Sequence, residues 1–134
     1  TAVAKVEDAL DLERLAVGDS LHMHLRTELE ANNVLYASHA KCIYDFNRES
    51  SVHSKIKNAP NTSKARYITE DVPYLFVPFC ELADLCGVDV PIAKALVTIA
   101  SYYNDEDYMK TGRTLAKMGF NHWTKQEILA FLES

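Results

Sequence analysis

The stretch RYITEDVPYLFVPFCELADLCG, residues 66 to 87, decides the fold that the sequence predicts. Thr69 is predicted to cap a helix, with Glu70 and Asp71 in its first turn, where carboxylates complement the helix dipole. Gly87 suits the left-handed residue that follows a helix. The predicted buried face repeats at helical spacing and comprises Leu75, Phe79, Leu82 and Cys86. The stretch therefore predicts one amphipathic helix.

Two prolines lie within this predicted helix. Pro73 is close enough to the first turn to be tolerated. Pro78 lies deeper in the helix and has no N–H to donate to the carbonyl of Tyr74. We therefore predict a kink or a free carbonyl at that point.

Helical periodicity extends over most of the chain on both sides of this stretch. The other predicted helices cover residues 2–17, with an extension toward Glu30 after a weak point at 18–20, then 33–46, 89–103, one or two short helices within 105–119, and a closing helix within 123–134. Asp89 is expected to cap the helix that contains Pro91 in its first turn. Thr124 and Glu127 form a capping box for the closing helix.

The polar stretch 47–65 predicts an excursion over the surface, with one helical turn near residues 52–57. No segment alternates in the manner of a strand over strand length, and no repeat is visible. With 134 residues, the chain is predicted to be a single all-α domain, residues 1–134.

Apolar residues at helical spacing also predict which faces are buried. These residues are Val3, Val6, Leu10 and Val17 in the first helix, Ile92, Leu96, Ile99 and Tyr103 in the 89–103 helix, and Ile128, Phe131 and Leu132 in the last. A stripe of small residues, Ala2, Ala9 and Ala16, would pack within the domain or, alternatively, across a homodimer. His39 falls on an apolar stripe and is predicted to be a core histidine.

Composition limits the classes of function. The chain is 48% hydrophobic and 25% charged, which indicates a folded core and not a disordered segment. A formal net charge of -5 without any basic block argues against nucleic-acid and anionic-membrane partners. No apolar run is long enough to span a membrane. Three cysteines without metal-type pairing favour a reduced, cytoplasmic setting.

The sequence does not predict a metal site. His22 and His24 are two residues apart, so their side chains would diverge on a helix, and a solvated pair is the expected arrangement. Cys80 and Cys86 do not share a helical face, and each is predicted to be a small buried hydrophobe.

Arg66 and Asp71 permit two interpretations. In the first they belong to a capped helix with a local ion pair, which contributes little stability when it is exposed. In the second they form part of an active site that Tyr74, one turn further on, could also reach.

The same stretch resembles the central segment of the C-terminal domain in the opine dehydrogenase (octopine/nopaline dehydrogenase) family. In that segment an Arg, a Glu-Asp-Val-Pro and a following helix occur at this spacing. Three further segments are similar to family segments, namely ALDLERLAV (9–17), GRTLAKMGF (112–120) and TKQEILAFL (124–132).

This resemblance implies an all-α domain of the 6-phosphogluconate dehydrogenase C-terminal type, whose N-terminal Rossmann partner domain is absent from this chain and holds NAD or NADP. It implies reductive condensation of an amino acid with an α-keto acid through an imine. By the family pattern, Arg66 binds a substrate carboxylate, and Asp71 orients a catalytic histidine and stabilises its charged form. Tyr74 is a further candidate substrate-binding residue because of its position one turn past Asp71. Arg113 matches a motif residue and is interpreted as a structural tie.

The family's catalytic histidine lies upstream of the matched region, and none of the five histidines here stands in an equivalent motif. This chain is therefore predicted to be a fragment that is inactive alone, with no cofactor-binding residue of its own. Two alternatives stay open. One is a domain of a related NAD(P)-dependent reductase acting on 2-oxo or 3-hydroxy acids, and the other is a non-catalytic helical interaction module.

Overall fold

Helices are the only regular secondary structure in residues 1–52, 55 and 58–134, which are the residues that this computed structural model describes. They are α1 (Ala2–Ser20), α2 (Glu28–Leu35), α3 (Ile43–Glu49), α4 (Arg66–Thr69), a π-helical turn π1 (Val72–Phe76), α5 (Val77–Cys86), α6 (Pro91–Asn104), α7 (Tyr108–Thr111) and α8 (Lys125–Leu132). The all-α prediction is confirmed. The helical turn predicted near residues 52–57 falls outside the described residues.

One main hydrophobic core joins α1, π1, α5, α6 and α7. Its buried residues are Val17, Leu21, Val72, Val77, Cys80, Ala83, Val90, Ala93, Val97, Ala100 and Tyr108. A smaller cluster of Ala4, Ile43 and Phe46 packs α3 against the start of α1. The long helix α1 therefore contributes to both clusters, whose burial from water is the main stabilising term of the fold.

A buried carboxylate joins α1 to α6. Glu13 is only 8% exposed, and its two oxygens accept hydrogen bonds from the backbone N–H groups of Ile92 (2.6 Å) and Ala93 (2.9 Å). These N–H groups lie in the first turn of α6, where a helix offers them no internal acceptor. Pro91 opens that helix, as predicted. The prediction that Asp89 caps it is wrong, because Asp89 is exposed and Glu13 supplies the cap from a distant helix.

The π-helical turn is the main departure from the helix predicted over residues 66–87. The N–H of Val77 donates to the carbonyl of Val72, five residues back instead of four. In that register the partner of the Pro73 carbonyl would be Pro78, which has no N–H. The Pro73 carbonyl instead accepts a hydrogen bond of 2.8 Å from the backbone N–H of Arg113. A carbonyl without a donor in its own helix was predicted at Tyr74 and is found one residue earlier, at Pro73.

This wider turn also changes which face of the segment is buried. The buried residues of π1 and α5 are Val72, Pro73, Val77, Cys80 and Ala83. The predicted face is partly wrong, since Leu75 is exposed, whereas Phe79, Leu82 and Cys86 are half-buried and pack at the edge of the main core. A π turn takes up one extra residue, so a pattern counted at constant α-helical pitch loses its phase. Gly87 ends α5 in the left-handed conformation, with φ of 70°, as predicted.

Small residues form the buried face of α6, which packs against α1 and π1. They are Ala93, Val97, Ala100 and, at the end, Asn104. The predicted face is one residue away and is wrong, because Ile99 and Tyr103 are exposed. Small side chains allow neighbouring helices to approach closely. The face with small residues therefore packs inward, although the larger apolar residues lie on the adjacent face.

The predicted faces of α1 are also partly wrong. Val17 is buried as expected, whereas Val3 and Val6 are exposed. Ala2 and Ala16 are exposed as well, so the alanine stripe does not pack within this chain as predicted.

The extension of α1 toward residue 30 does not occur. The helix ends at Ser20, and His22 takes a left-handed conformation with φ of 58°. Thr27 and Glu30 then form a capping box that starts α2 as a separate helix. This box was readable in the sequence as a threonine followed three residues later by glutamate.

The single helix predicted over residues 33–46 is wrong. The amide of Asn33 bonds both the N–H and the carbonyl of Ala40 and accepts from the hydroxyl of Ser38. Asparagine side chains compete in this way with helical backbone bonds, and α2 ends at Leu35. His39 consequently lies exposed in the loop before α3 and is not a core histidine.

The last part of the chain mostly matches its prediction. α7 is the one helix within residues 105–119, and Gly119 ends that region with φ of 91°. The capping box of Thr124 and Glu127 is confirmed. Ile128 is buried, whereas Phe131 and Leu132 are exposed.

Three aromatic rings hold α8 to the preceding loop. Phe120, Trp123 and Phe131 meet pairwise in edge-to-face contacts, with ring centroids 5.0 to 5.8 Å apart. Such geometry suits the quadrupole of aromatic rings. The closing helix is therefore attached largely through this trio and Ile128.

Candidate functional site

Asp71 lies at the junction between α4 and π1, and the local structure there differs from the predicted cap. Thr69 ends α4 instead of capping the next helix, and its hydroxyl donates to the carbonyl of Ala65 at 3.4 Å. The backbone continues through Glu70 and Asp71 in helical conformation. The position of Asp71 is therefore set by the start of the π turn and not by a side-chain cap.

The side chain of Asp71 faces an open cleft of about 780 Å³ between α1, α2 and the π1–α5 segment. The lining residues are Glu7, Leu10, Asp11, Arg14, Glu28, Asp71, Leu75, Phe76 and Phe79. Asp71 is half-buried. Its carboxylate has no hydrogen-bond or ion-pair partner among the described residues, so it can accept one from a group outside this chain.

A fixed network of charges forms the opposite wall of the cleft. Arg14 donates to Asp11 at 2.7 and 2.9 Å and to the carbonyl of Arg26 at 2.6 Å. The second oxygen of Asp11 accepts from the backbone N–H of Glu28 at 2.8 Å. These bonds tie α1 to the start of α2. Since the guanidinium is committed to this tie, we assign Arg14 a structural role in the wall.

Among the described residues that line the cleft, the carboxylates outnumber the one cation, Arg14. Loss of hydration raises the pKa of Glu28, and the nearby charges of Asp11 and Glu7 raise it further. These wall residues were not predicted from the sequence. Their signal was the spacing of Glu7, Asp11 and Arg14, which places all three on one face of α1.

The structure brings only one of the three predicted site residues to this cleft. Arg66 opens α4, its side chain is 76% exposed, and its Nε lies 3.3 Å from a carboxylate oxygen of Glu70. Tyr74 is 57% exposed. Neither of them lines the Asp71 cleft within the described part of the chain. Arg66 and Tyr74 therefore face solvent, where a further domain could reach them.

The described residues offer no site for a metal and no dinucleotide cradle. No group of three or more His, Cys, Asp or Glu side chains converges there. They also contain no strand that could lead a glycine-rich loop into a helix, the unit that binds a pyrophosphate. Burial raises the pKa of Cys80 to about 11, so this thiol remains protonated and unreactive at neutral pH.

Comparison with known proteins gives the family. The family model described as "NAD/NADP octopine/nopaline dehydrogenase, alpha-helical domain" matches residues 1–104. The chain belongs to the octopine/nopaline dehydrogenase family. The resemblance inferred from the sequence is therefore confirmed, and the match includes α1, the Asp71 junction and α6.

Individual relatives in the octopine/nopaline dehydrogenase family are similar over most of this chain. "Protein ocs" of Agrobacterium vitis is 34% identical over 110 residues, which are 82% of this chain and 30% of that protein. Vitopine synthase of Allorhizobium ampelinum is 32% identical over 117 residues, 87% of this chain and 32% of the relative. An opine dehydrogenase of an Arthrobacter species is 27% identical over 132 residues, 98% of this chain and 36% of the relative.

The chain spans about a third of the length of these curated relatives. It corresponds to the helical domain of an octopine/nopaline dehydrogenase. None of the helices described here is both long enough and apolar enough to cross a lipid bilayer.

Proposed function

We propose that this chain is the substrate domain of an NAD(P)-dependent opine dehydrogenase, which condenses an amino acid with an α-keto acid and reduces the resulting imine. The observation that carries the proposal is the match of the family's helical domain over residues 1–104. The position of Asp71 supports it, because an unpartnered carboxylate lines the cleft between α1 and the π1–α5 segment.

In this proposal Asp71 acts on a histidine contributed from outside the chain. A carboxylate that accepts a hydrogen bond from one ring nitrogen fixes the tautomer of the imidazole and stabilises its protonated form. The histidine can then hold or release a proton at its other nitrogen. Asp71 suits this role because nothing in the described part of the chain already occupies its oxygens.

Arg66 is proposed to bind a substrate carboxylate. A guanidinium offers parallel N–H donors that match the two oxygens of a carboxylate. The Glu70 partner does not prevent this, since their contact of 3.3 Å is largely exposed to solvent and such pairs contribute little. Tyr74, also exposed, is proposed to lie at the edge of the same site.

The cofactor is proposed to bind to a separate Rossmann domain, because the described residues do not form a nucleotide cradle. Exposed apolar residues support a partner domain of this kind. They include Leu75 at the cleft, Tyr67 and Tyr74 near Arg66, and Ile99, Tyr102 and Tyr103 on α6. Large apolar side chains left on a surface commonly mark an interface.

The direct test is NAD(P)H oxidation by the full-length protein that contains this chain. Amino acids and α-keto acids would be supplied singly and in pairs. We expect oxidation only when both substrates are present, with loss of about 100-fold in kcat for Asp71→Asn. Asp8→Asn is the matched control, because Asp8 is an exposed acid of α1 away from the cleft. Oxidation with the keto acid alone would favour a plain 2-oxo acid reductase.

Arg66 requires its own pair of variants. Arg66→Lys keeps a positive charge beside Glu70 but loses the two-pronged donor, so KM for one substrate should rise about tenfold or more. Glu70→Gln removes the ion pair without touching the guanidinium and should leave KM near the wild-type value. If both variants raise KM equally, Arg66 acts through its ion pair with Glu70 and not by binding the substrate.

A further inference from the structure

Residues 112–117, here called the clamp, cross the π-helical turn that follows Asp71. The backbone N–H of Arg113 donates to the Pro73 carbonyl at 2.8 Å. That carbonyl is available only because the π register and Pro78 leave it without a donor of its own helix. The clamp therefore bonds to the part of π1 that lies two residues from Asp71.

Gly112 permits this contact through its lack of a side chain. Its φ of -64° is open to any residue, so backbone conformation does not require glycine. The lack of space does require glycine, because a Cβ here would lie 2.6 Å from the Tyr108 carbonyl oxygen, 2.9 Å from the Pro73 carbonyl oxygen and 2.9 Å from Cγ2 of Val77. Two of these atoms belong to the backbone and cannot rotate away. Any larger residue would push the clamp and π1 apart.

Two further contacts anchor the clamp. The carboxylate of Glu81, on α5, accepts a hydrogen bond from the backbone N–H of Leu115 at 2.5 Å. The ammonium of Lys117 donates to the carbonyls of Thr111 and Gly112, each at 2.8 Å, at the end of α7. The clamp is thus held to α5 through Leu115 and to the end of α7 through Lys117.

We propose that the clamp is a positioning device for Asp71, with Gly112 and Glu81 as its positioning residues. Contact at Pro73 fixes the pitch of π1, and that pitch sets the direction in which the Asp71 carboxylate enters the cleft. This inference rests on the proposed function, because its effect is read through the role of Asp71 in the reaction. It adds Glu81 and the clamp to the residues that act on Asp71, and the clamp lies beyond residues 1–104, which the family model matches.

The test is a double-mutant cycle in the full-length enzyme. Gly112→Ala should lower kcat about tenfold in the wild-type background and less than twofold in the Asp71→Asn background, because an effect transmitted through Asp71 disappears with it. Gly18→Ala is the matched control. The three atoms nearest to a Cβ at Gly18 belong to Leu25 and Met23, outside the clamp, and the nearest is in the flexible side chain of Leu25 at 2.5 Å. We therefore expect wild-type kcat.

A second pair of variants applies if Gly112→Ala does not fold. Glu81→Ala removes the anchor of the clamp without adding an atom near π1, and it should lower kcat. Glu81→Gln keeps an acceptor for the Leu115 N–H and should restore most of the activity. A crystal structure of either loss-of-function variant should show Asp71 displaced relative to the wild-type enzyme.

The outcomes separate this inference from the proposed function. If Asp71→Asn leaves kcat unchanged, the proposed role of Asp71 fails. If Asp71→Asn is severe but the loss from Gly112→Ala is equal in both backgrounds, the clamp acts independently and only this inference fails. Unchanged activity in Gly112→Ala with an unmoved Asp71 would overturn it as well.

Discussion

Glu13 shows how a single residue can organise two helices. Its carboxylate is buried, and both of its oxygens accept N–H groups from the first turn of α6. Without Glu13 those donors would be left unsatisfied, since no side chain at the start of α6 caps them. An unsatisfied buried donor carries the full cost of its lost hydration.

We expect Glu13→Ala to lower the free energy of unfolding by about 2 kcal/mol or more, the size of a hydrogen bond to a charged group. Glu13→Gln keeps one accepting oxygen and should lower it by roughly half as much. Denaturant unfolding followed by circular dichroism measures both values. Glu133→Ala, which changes an exposed acid after α8, is the control and should leave the midpoint unchanged. An equally small effect from Glu13→Ala would contradict the capping role.

At this scale, local pairs are predictable and distant ones are not. The box of Thr124 and Glu127 was predicted because its members stand three residues apart. Glu13 and Ile92 are separated by 79 positions, and nothing in the sequence marks them as partners. Arg66 and Asp71 were singled out by their position at a predicted helix start, the family resemblance supplied their roles, and the structure places only Asp71 at the cleft.

At the scale of the element, α2 carries two glutamates whose ionisation acts in opposite directions on stability. The pKa of Glu28 is raised above its ordinary value of 4.5 by loss of hydration and by the charges of Asp11 and Glu7. The pKa of Glu30 is lowered by hydrogen bonds from Thr27 in the capping box. Both residues lie in the first turn of the same helix.

The signs follow from proton linkage. A raised folded-state pKa means that stability falls as pH rises from about 4.5 through the folded value of Glu28. We expect Glu28→Gln to unfold at higher denaturant than the wild type at pH 7, with the advantage vanishing well below pH 4.5. A lowered pKa gives stability above 4.5 that is lost as pH falls, so Glu30→Gln should be less stable at pH 7 and equal to wild type at low pH. Denaturant unfolding midpoints of the two variants and the wild type between pH 3 and pH 8 would test these two predictions. Midpoint shifts of the same sign in both variants at pH 7 would contradict them.

The helix that follows Asp71 shows why element boundaries were easier to predict than element faces. Gly87 gave the end of α5 correctly. The prolines predicted an irregularity near Pro78, but the sequence did not indicate that the chain would form a π-helical turn. A change of one residue in the count moves every later side chain around the helix by about 100°. For this reason the fully buried positions of the segment differ from the predicted ones, although the helix itself was predicted.

At the scale of the whole molecule, the surface leaves many large apolar residues exposed. Tyr102 is 82% exposed, and Ile99 and Tyr103 are exposed on the same helix. Some predicted core positions, such as Ile99 and Tyr103, lie on the surface, while smaller residues such as Ala93 and Ala100 fill the interior. The pattern is expected of a domain that covers part of its surface with another domain, which is the arrangement proposed above.

The 134-residue chain by itself is therefore predicted to be inactive. Mixed with NADPH, an amino acid and an α-keto acid, it should produce no change in NADPH absorbance, because its described residues form no nucleotide cradle and the proposed proton relay needs a histidine from outside the chain. The full-length protein under the same conditions is the positive control. Turnover by the isolated chain would contradict both the proposed division of roles and the external histidine.

The aromatic trio at the end of the chain has a spectroscopic consequence. Trp123 is the only tryptophan in the sequence, and its ring meets Phe120 and Phe131 edge to face. Its fluorescence will therefore report chiefly on the contact between α8 and the preceding loop. Emission and far-ultraviolet ellipticity recorded together on this chain would thus follow two different parts of the fold, the closing helix and the remaining helices.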